Sequence, residues 1–311
     1  MISTSRLAFF GSLTIDDLVF ADGTTRWGVP GGNVVYAALG AALWTPRPNV
    51  VAPLGPDYPI ELIENKLNLA RCPAAPHTLR NWGLYEEDGR RHFVSRASSR
   101  NWGEFCPRPK DARSGHQIAA HVAAMPRRVA IELIKELRDE GARTISLDLD
   151  DHDLLSDTSH AESVELIRSV DLFLPSRQDA FAIVHEMQPI ESLIRLRSLA
   201  PDLPLIAVKC GPEGIVAHAL KSNQWVHIPV VQVPVIDTTG AGDAFCGGVL
   251  AGITEHGDPV ESLLYGAVSA SFCIETIGFA GLIAATEAEA RLRLTMLRRK
   301  IDRGALPGVA N

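Results

Sequence analysis

Apolar positions along the chain follow two different rhythms. From about residue 117 onward, short apolar runs alternate with segments of helical period. Arg143–Asp150 (RTISLDLD), Val170–Leu174 (VDLFL) and Leu205–Cys210 (LIAVKC) have the composition of strands covered on both faces. Between them, Arg127–Glu140 sets Val129, Leu133 and Leu137 at i, i+4, i+8, with Ala130 and Ile134 alongside, and Gly141 stops the helix. Strand, helix, strand at this spacing predicts a parallel sheet covered by helices.

The first hundred residues read differently. Leu7–Leu13 and Val50–Leu54 look buried, and Val34–Leu43 reads as a helix. Thr14–Phe20 and Thr24–Val29 read as strands joined through Ala21-Asp22-Gly23; Trp82–Glu86 and Arg91–Ser95 read as two more, joined through Asp88-Gly89. Four strands leaving an α/β body make either surface hairpins or a small sheet able to act as a lid. No repeat or Pro/Ser-rich linker divides the chain, so one domain over 1–311 is expected, with a lid from about 14–30 and 82–95.

Charge narrows the function. The 30 basic and 37 acidic side chains leave a net −7, which argues against a nucleic-acid or anionic-membrane partner. The five cysteines are scattered and form no C-x-x-C pair, so neither a zinc site nor a disulfide framework is expected. The apolar run Leu7–Phe10 is too short for a signal peptide, and Val34–Trp44 falls well short of the ~20 residues that span a bilayer. A soluble cytoplasmic protein is the expectation. Neither H-E-x-x-H nor G-x-S-x-G occurs, so hydrolase readings find no support. The acidic group Asp148, Asp150, Asp151, Asp153 with His152 has no ligand spacing and reads as a solvated loop. Arg291–Lys300 reads as a terminal surface helix burying Leu292, Leu294 and Leu297.

The most informative segment is Val231–Ile253. A β-rich run ends at Asp237, Thr238–Gly242 turns the chain, and a helix begins near Asp243. The dinucleotide fingerprint fails at Phe245, and the P-loop lysine is replaced by Gly248. Glycines before a helix start let a phosphate approach the first-turn N–H groups. Asp243 would repel a static phosphate, but suits a turn where it meets an attacking hydroxyl while the N–H groups hold the transferred group. The competing reading is a Thr-capped helix start with Asp243 favoured by the dipole.

D-T-T-G-A-G-D-A-F, in this position, resembles the C-terminal motif of the ribokinase-like (PfkB) carbohydrate kinases, and similarity extends over most of the chain. Gly11–Asp16 is similar to the family's opening strand, Pro30-Gly31-Gly32-Asn33 to its diglycine substrate loop, and Glu87–Arg91 to a lid hairpin. Val208–Gly214 is similar to the nucleotide-side loop. The resemblance implies an α/β/α sandwich with a mainly parallel central sheet and a small β lid. It implies transfer of the γ-phosphate of ATP, with Mg²⁺, to a sugar or sugar-like molecule. In that frame Asp243 is the catalytic base, Gly240, Ala241 and Gly242 form the anion hole, and Asp16, Gly31, Gly32 and Asn33 line the sugar pocket. Ser176, Asp179, Lys209, Gly211 and Gly214 lie on the nucleotide side, where Lys209 either contacts phosphate or snorkels from a strand end. Asp237 and Thr239 match positions that help hold a monovalent cation such as K⁺.

Three motifs depart from the family. Tyr36 replaces the Asn of G-G-x-x-x-N, Ser176 and Asp179 replace Asn and Glu of N-x-x-E, and G-x-D-x-x-G is reduced to Gly55–Ile60. Ser176 and Asp179 equally read as an S-x-x-D capping box. A nucleoside kinase, with Tyr36 and Trp27 stacking on a base, and a non-catalytic binding protein are the rival readings. A homodimer through the lid is a further expectation, because a small open sheet has exposed edges.

Overall fold

In β1 (Leu7–Phe10) every residue is buried, because the strand lies inside a sheet with helices on both sides. Leu7 and Phe9 join one core while Ala8 and Phe10 join the other, as the two-residue period of a strand requires. The structure, a computed structural model, describes residues 6–87, 91–96, 102–113, 116–149, 159–222 and 224–305. The following strands are β2 (Thr14–Val19), β3 (Thr25–Gly31), β4 (Asn49–Val51), β5 (Leu79–Tyr85), β6 (Arg91–Ser95) and β7 (Ala119–Val122). After them come β8 (Thr144–Leu147), β9 (Leu172–Phe173), β10 (Leu205–Lys209), β11 (Ile215–Ala219), β12 (Gln224–Ile228) and β13 (Asp302–Ala305). Helices are α1 (Asn33–Ala42), α2 (Pro109–Ala112), α3 (Arg127–Asp139), α4 (Ser159–Arg168), α5 (Arg177–Val184) and α6 (Pro189–Leu199). The last four are α7 (Ala241–His256), α8 (Pro259–Cys273), α9 (Ala280–Ala284) and α10 (Glu287–Leu297).

The large sheet runs β13-β12-β11-β10-β9-β8-β7-β1-β4. It is parallel from β4 to β10 and antiparallel from there to β13. Residues of α1, α7, α8 and α10 share the core that includes Leu7 and Phe9; residues of α3, α4, α5 and α6 share the other. The expected three-layer α/β/α fold is what forms. The second sheet runs β3-β2-β5-β6: two antiparallel hairpins are joined by parallel pairing of β2 with β5. Asp22 closes the first hairpin by accepting the Thr24 N–H at 2.9 Å. The expected turn at Asp88-Gly89 lies outside the described residues, as do Asp150, Asp151, His152 and Asp153.

Two readings of pattern are corrected. Val231–Asp237 is not a strand: Pro229 and Pro234 lack ladder donors, and Val235 and Ile236 are 60% and 61% exposed. The strand is the more polar Gln224–Ile228, one position before Pro229. In α10 the buried positions are Ala290, Leu294 and Leu297, at i, i+4, i+7, so Leu292 is turned outward and 62% exposed.

Helix α7 reaches its place by crossing α1 backbone against backbone. A Cβ on Gly247 would overlap the Ala37 carbonyl oxygen, and one on Gly40 would overlap that of Ala244. Gly247→Ala must therefore push the helices apart. The expected loss is roughly 2–3 kcal/mol, the upper part of the overpacking range. A urea titration checks it: the midpoint falls with an unchanged slope, and a midpoint equal to the parent's would contradict the close crossing.

Candidate active site

The turn before α7 is built from the backbone. Gly240, the helix's N-cap, has φ +75°, a left-handed conformation that L side chains rarely adopt, and no side chain caps the helix. The Thr-capped reading therefore fails. The Tyr36 ring of α1 lies against Gly240 so closely that any Cβ there would overlap it. The helix starts at Ala241, two residues earlier than its sequence pattern suggested, which places Asp243 inside the first turn. First-turn N–H groups have no intrahelical partner and make up the positive end of the dipole. Of the three expected anion-hole amides, that of Ala241 reaches back 3.3 Å to the Thr238 carbonyl; the Ala244 N–H closes the helix on Gly240 O at 2.8 Å. Just upstream, buried Asp237 accepts the Thr239 N–H at 2.9 Å, and the Cys273 thiol donates to Thr239 O at 3.2 Å.

Asp16 is buried on β2, where it accepts the Thr14 hydroxyl at 3.0 Å and the Asn81 amide at 2.9 Å. Burial pushes its carboxyl up to about 6, against the lowering effect of those two hydrogen bonds. Gly31, at the end of β3, lies beside it: a Cβ there would sit 2.9 Å from an Asp16 carboxylate oxygen. Gly32 is the N-cap of α1. Asn33 serves the frame, its Oδ1 accepting the Ser12 N–H at 2.9 Å and its amide donating to Ala124 O at 2.8 Å. The Gly55–Ile60 loop is braced on the same side, with Asp57 accepting the Thr78 N–H at 2.8 Å and Tyr58 donating to Gly31 O at 3.1 Å.

Tyr36 and Trp27 do not form the aromatic shelf considered for a nucleobase. Tyr36 is buried, with its ring edge-on to Phe279. Trp27 is 62% exposed and meets Trp82 edge-on, while Asn81 on the same strand points to Asp16. Neighbours on a strand face opposite ways, so both tryptophans belong to the outer side. Two residues that the sequence pattern did not mark stand on the inner side. Asn81 falls one position before the expected strand start at Trp82. Tyr85 donates to Asp237 at 3.3 Å and lies 2.6 Å from the Thr239 hydroxyl. Asn81 and Tyr85 share the odd positions of the strand while the apolar Trp82 and Leu84 take the even ones, and that period of two was the available signal.

Where the nucleotide side is expected, Lys209 is neither free nor snorkelled. Its ammonium lies 2.5 Å from Asp148 Oδ2 and 3.7 Å from Cys246 Sγ, in contact with the first turn of α7: a Gly242 Cβ would be 3.2 Å away. Burial disfavours the ammonium, yet Asp148 outweighs it and holds Lys209 protonated above the usual lysine range. Ser176 and Asp179 form the capping box of α5, with exchanged bonds of 3.1 and 2.8 Å. Burial, then the nearby Asp148, pushes the Asp179 carboxyl up to about 7. Gly211 and Gly214 bound the turn after β10, and a Cβ on Gly214 would overlap Ile228 O, so its bareness serves strand packing.

Two carboxylates sharing one ammonium suit a further cation held chiefly by phosphate and water. No cluster of three metal-ligating side chains occurs among the described residues. The raised carboxyls fix a sign for stability. Folded Asp16 and Asp179 keep protons that unfolded carboxyls lose near pH ~4, so their contribution is full below that pH. It is lost as pH rises through about 6 and about 7. In urea titrations between pH 4 and 7, Asp16→Asn is expected to flatten the decline in midpoint; an unchanged slope contradicts the buried, proton-holding carboxyl.

The pfkB family carbohydrate kinase model matches residues 62–284. A cytidine kinase of Thermococcus kodakarensis is 24% identical over 269 residues, 82% of this chain and 90% of that protein. Among solved structures, a putative ribokinase II from E. coli in complex with ATP and Mg²⁺ superposes with TM-score 0.75 at 14% identity, over 94% of this chain and 99% of that one. The fructokinase of Vibrio cholerae O395 in its fructose-, ADP- and calcium-bound form gives 0.75 at 17% identity, with the same coverage. At these identities the structures speak for the fold, and the family model, spanning most of the chain, speaks for descent. The chain belongs to the pfkB family of carbohydrate kinases, phosphotransferases with a hydroxyl acceptor.

Proposed function

We propose that this protein transfers the γ-phosphate of ATP to a hydroxyl of a sugar or sugar-like small molecule, with Asp243 as general base. The observation that carries this reading is an uncapped helix start, opened by left-handed Gly240, with a carboxylate in its first turn. Asp243 takes the proton of the acceptor hydroxyl, and the backbone N–H groups of Gly240–Gly242 receive charge that develops on the transferred group. The Ala241 N–H must leave Thr238 O to take part. Asp16, aligned by Thr14 and Asn81, binds acceptor hydroxyls beside Gly31 and Gly32. Lys209 neutralises Asp148 and keeps positive charge under Gly242.

ATP lies along Ser176, Asp179 and the Gly211–Gly214 turn in this reading, and Mg²⁺, when bound, neutralises its phosphates. The Asp148–Asp179 pair would fit such an ion once Asp179 gives up its proton, since Lys209 offsets the other carboxylate. Asp237 and Thr239 remain the candidates for a K⁺ site. The small sheet acts as a lid that excludes water, a competing phosphoryl acceptor. The cytidine kinase relative supports a nucleoside as the alternative acceptor, though the outward Trp27 and buried Tyr36 offer no base-stacking shelf. None of the described helices is long and apolar enough to cross a membrane.

ADP release from Mg·ATP across pentoses, hexoses, keto-sugar acids and nucleosides tests the reading. One acceptor class is expected to raise the signal, and Asp243→Asn to lower it by about 100-fold or more. Full phosphotransfer by Asp243→Asn would sink the base; tight ligand binding without ADP release from any acceptor would favour a binding protein. The exposed Trp27, Leu84 and Val94 support pairing of two copies through the lid. Sedimentation velocity is expected to show a dimer that Val94→Lys weakens; a monomer at all concentrations removes this assembly.

A further inference from the structure

One strand touches both halves of the site. Asn81 and Tyr85 lie on the same face of β5, four residues or about 13 Å apart. Asn81 holds Asp16 at 2.9 Å on the acceptor side. Tyr85 ends the strand with its hydroxyl 2.6 Å from Thr239 Oγ1 and 3.3 Å from Asp237 Oδ1. Those two residues immediately precede the Thr238–Gly240 turn or stand within it, and Thr239 is itself bound to Asp237 through its N–H at 2.9 Å. The Tyr85 ring is steadied independently by Phe20 from the end of β2, with ring centroids 4.8 Å apart.

We infer that Tyr85 is a positioning residue that ties the seating of the acceptor to the geometry of the α7 transfer turn. A strand paired on both sides is a stiff strut, and β5 pairs with β2 and β6. Acceptor that draws Asp16 and Asn81 into place seats β5, and a seated β5 presents the Tyr85 hydroxyl to Thr239 and Asp237. The segment leading into Gly240 is then pinned from the lid side, while Cys273 and Tyr36 pin it from the body. Without acceptor the pin is weaker, and the anion-hole amides are less well aligned. Phosphoryl transfer to water is suppressed by the same contact that favours transfer to the acceptor. Tyr85 touches neither partner of the reaction in this scheme; it acts through Thr239 and Asp237. The inference rests on the kinase reading for its rate consequences, but not for its structural one.

Tyr85→Phe keeps the ring on Phe20 and deletes only the hydroxyl. The expected result is a kcat lowered about tenfold with acceptor KM within about threefold, the mark of an interaction that matters at the transfer step. The ratio of acceptor-free ATP hydrolysis to transfer is expected to rise about tenfold, a readout that loss of stability alone does not move. Thr239→Val and the double variant complete a cycle, in which Tyr85→Phe costs less once Thr239 has lost its hydroxyl and only the Asp237 contact is left. Amide hydrogen exchange, which needs no turnover, is expected to quicken in 238–243 in the Tyr85→Phe protein, with the large sheet unaffected. Parent-like exchange in 238–243 overturns the inference, and so do additive effects in the cycle. Should the parent transfer phosphate to no acceptor, the kinase reading falls and the exchange result still decides the role of Tyr85.

Discussion

The backbone contact between α1 and α7 is the constraint from which the site follows. Bare positions at Gly40 and Gly247 let the helices meet at carbonyl distance, which fixes the height and rotation of α7 above the sheet. That placement delivers the uncapped N-terminus of α7, and Asp243 with it, to the end of the parallel strands where loops of an α/β sheet converge. Tyr36, one turn before Gly40, fills the space under Gly240 and holds the left-handed turn from below. Where the resembled motif carries Asn, the Tyr36 ring here packs against Gly240 and supports the turn.

Charge is arranged with similar economy. Lys209 and Asp148 are both largely withdrawn from water, a costly arrangement that survives because each offsets the other's desolvation. Asp179 adds a second carboxyl to the same neighbourhood, and its raised pKa expresses burial first and the nearby Asp148 second. The helix dipole of α7 and the Lys209 ammonium point positive potential at the same small region around Gly242. In the proposed reaction, a phosphoryl group arriving there would meet pre-set charge rather than having to reorganise it.

The small sheet contributes differently on its two sides. Its inner side carries Asp16, Asn81 and Tyr85, each hydrogen-bonded, and the last two lie on the same strand. Its outer side carries Trp27, Leu84 and Val94, exposed among charged neighbours. Alternation along β5 separates the two chemistries at single-residue resolution, so a one-residue slip of register would exchange them.

Much of this was legible in the chain. Buried apolar runs alternating with helical period led to the parallel sheet, because strands covered on both faces have no polar side to show. The helix Arg127–Asp139 and the hairpin strands Thr14–Val19 and Arg91–Ser95 follow from local period and turn chemistry, and D-T-T-G-A-G-D marked the turn before α7. What the chain alone left open was decided at long range. Proline positions kept Val231–Asp237 out of the sheet despite its valines, and the more polar Gln224–Ile228 took the place through pairing with its neighbours. That Tyr36 supports a glycine and that Lys209 meets Asp148 depended on residues more than 60 positions away. Local sequence determines which segments extend, coil and turn, since those choices rest on neighbouring backbone; side-chain partnership across the core is settled only when the layers close and water is excluded.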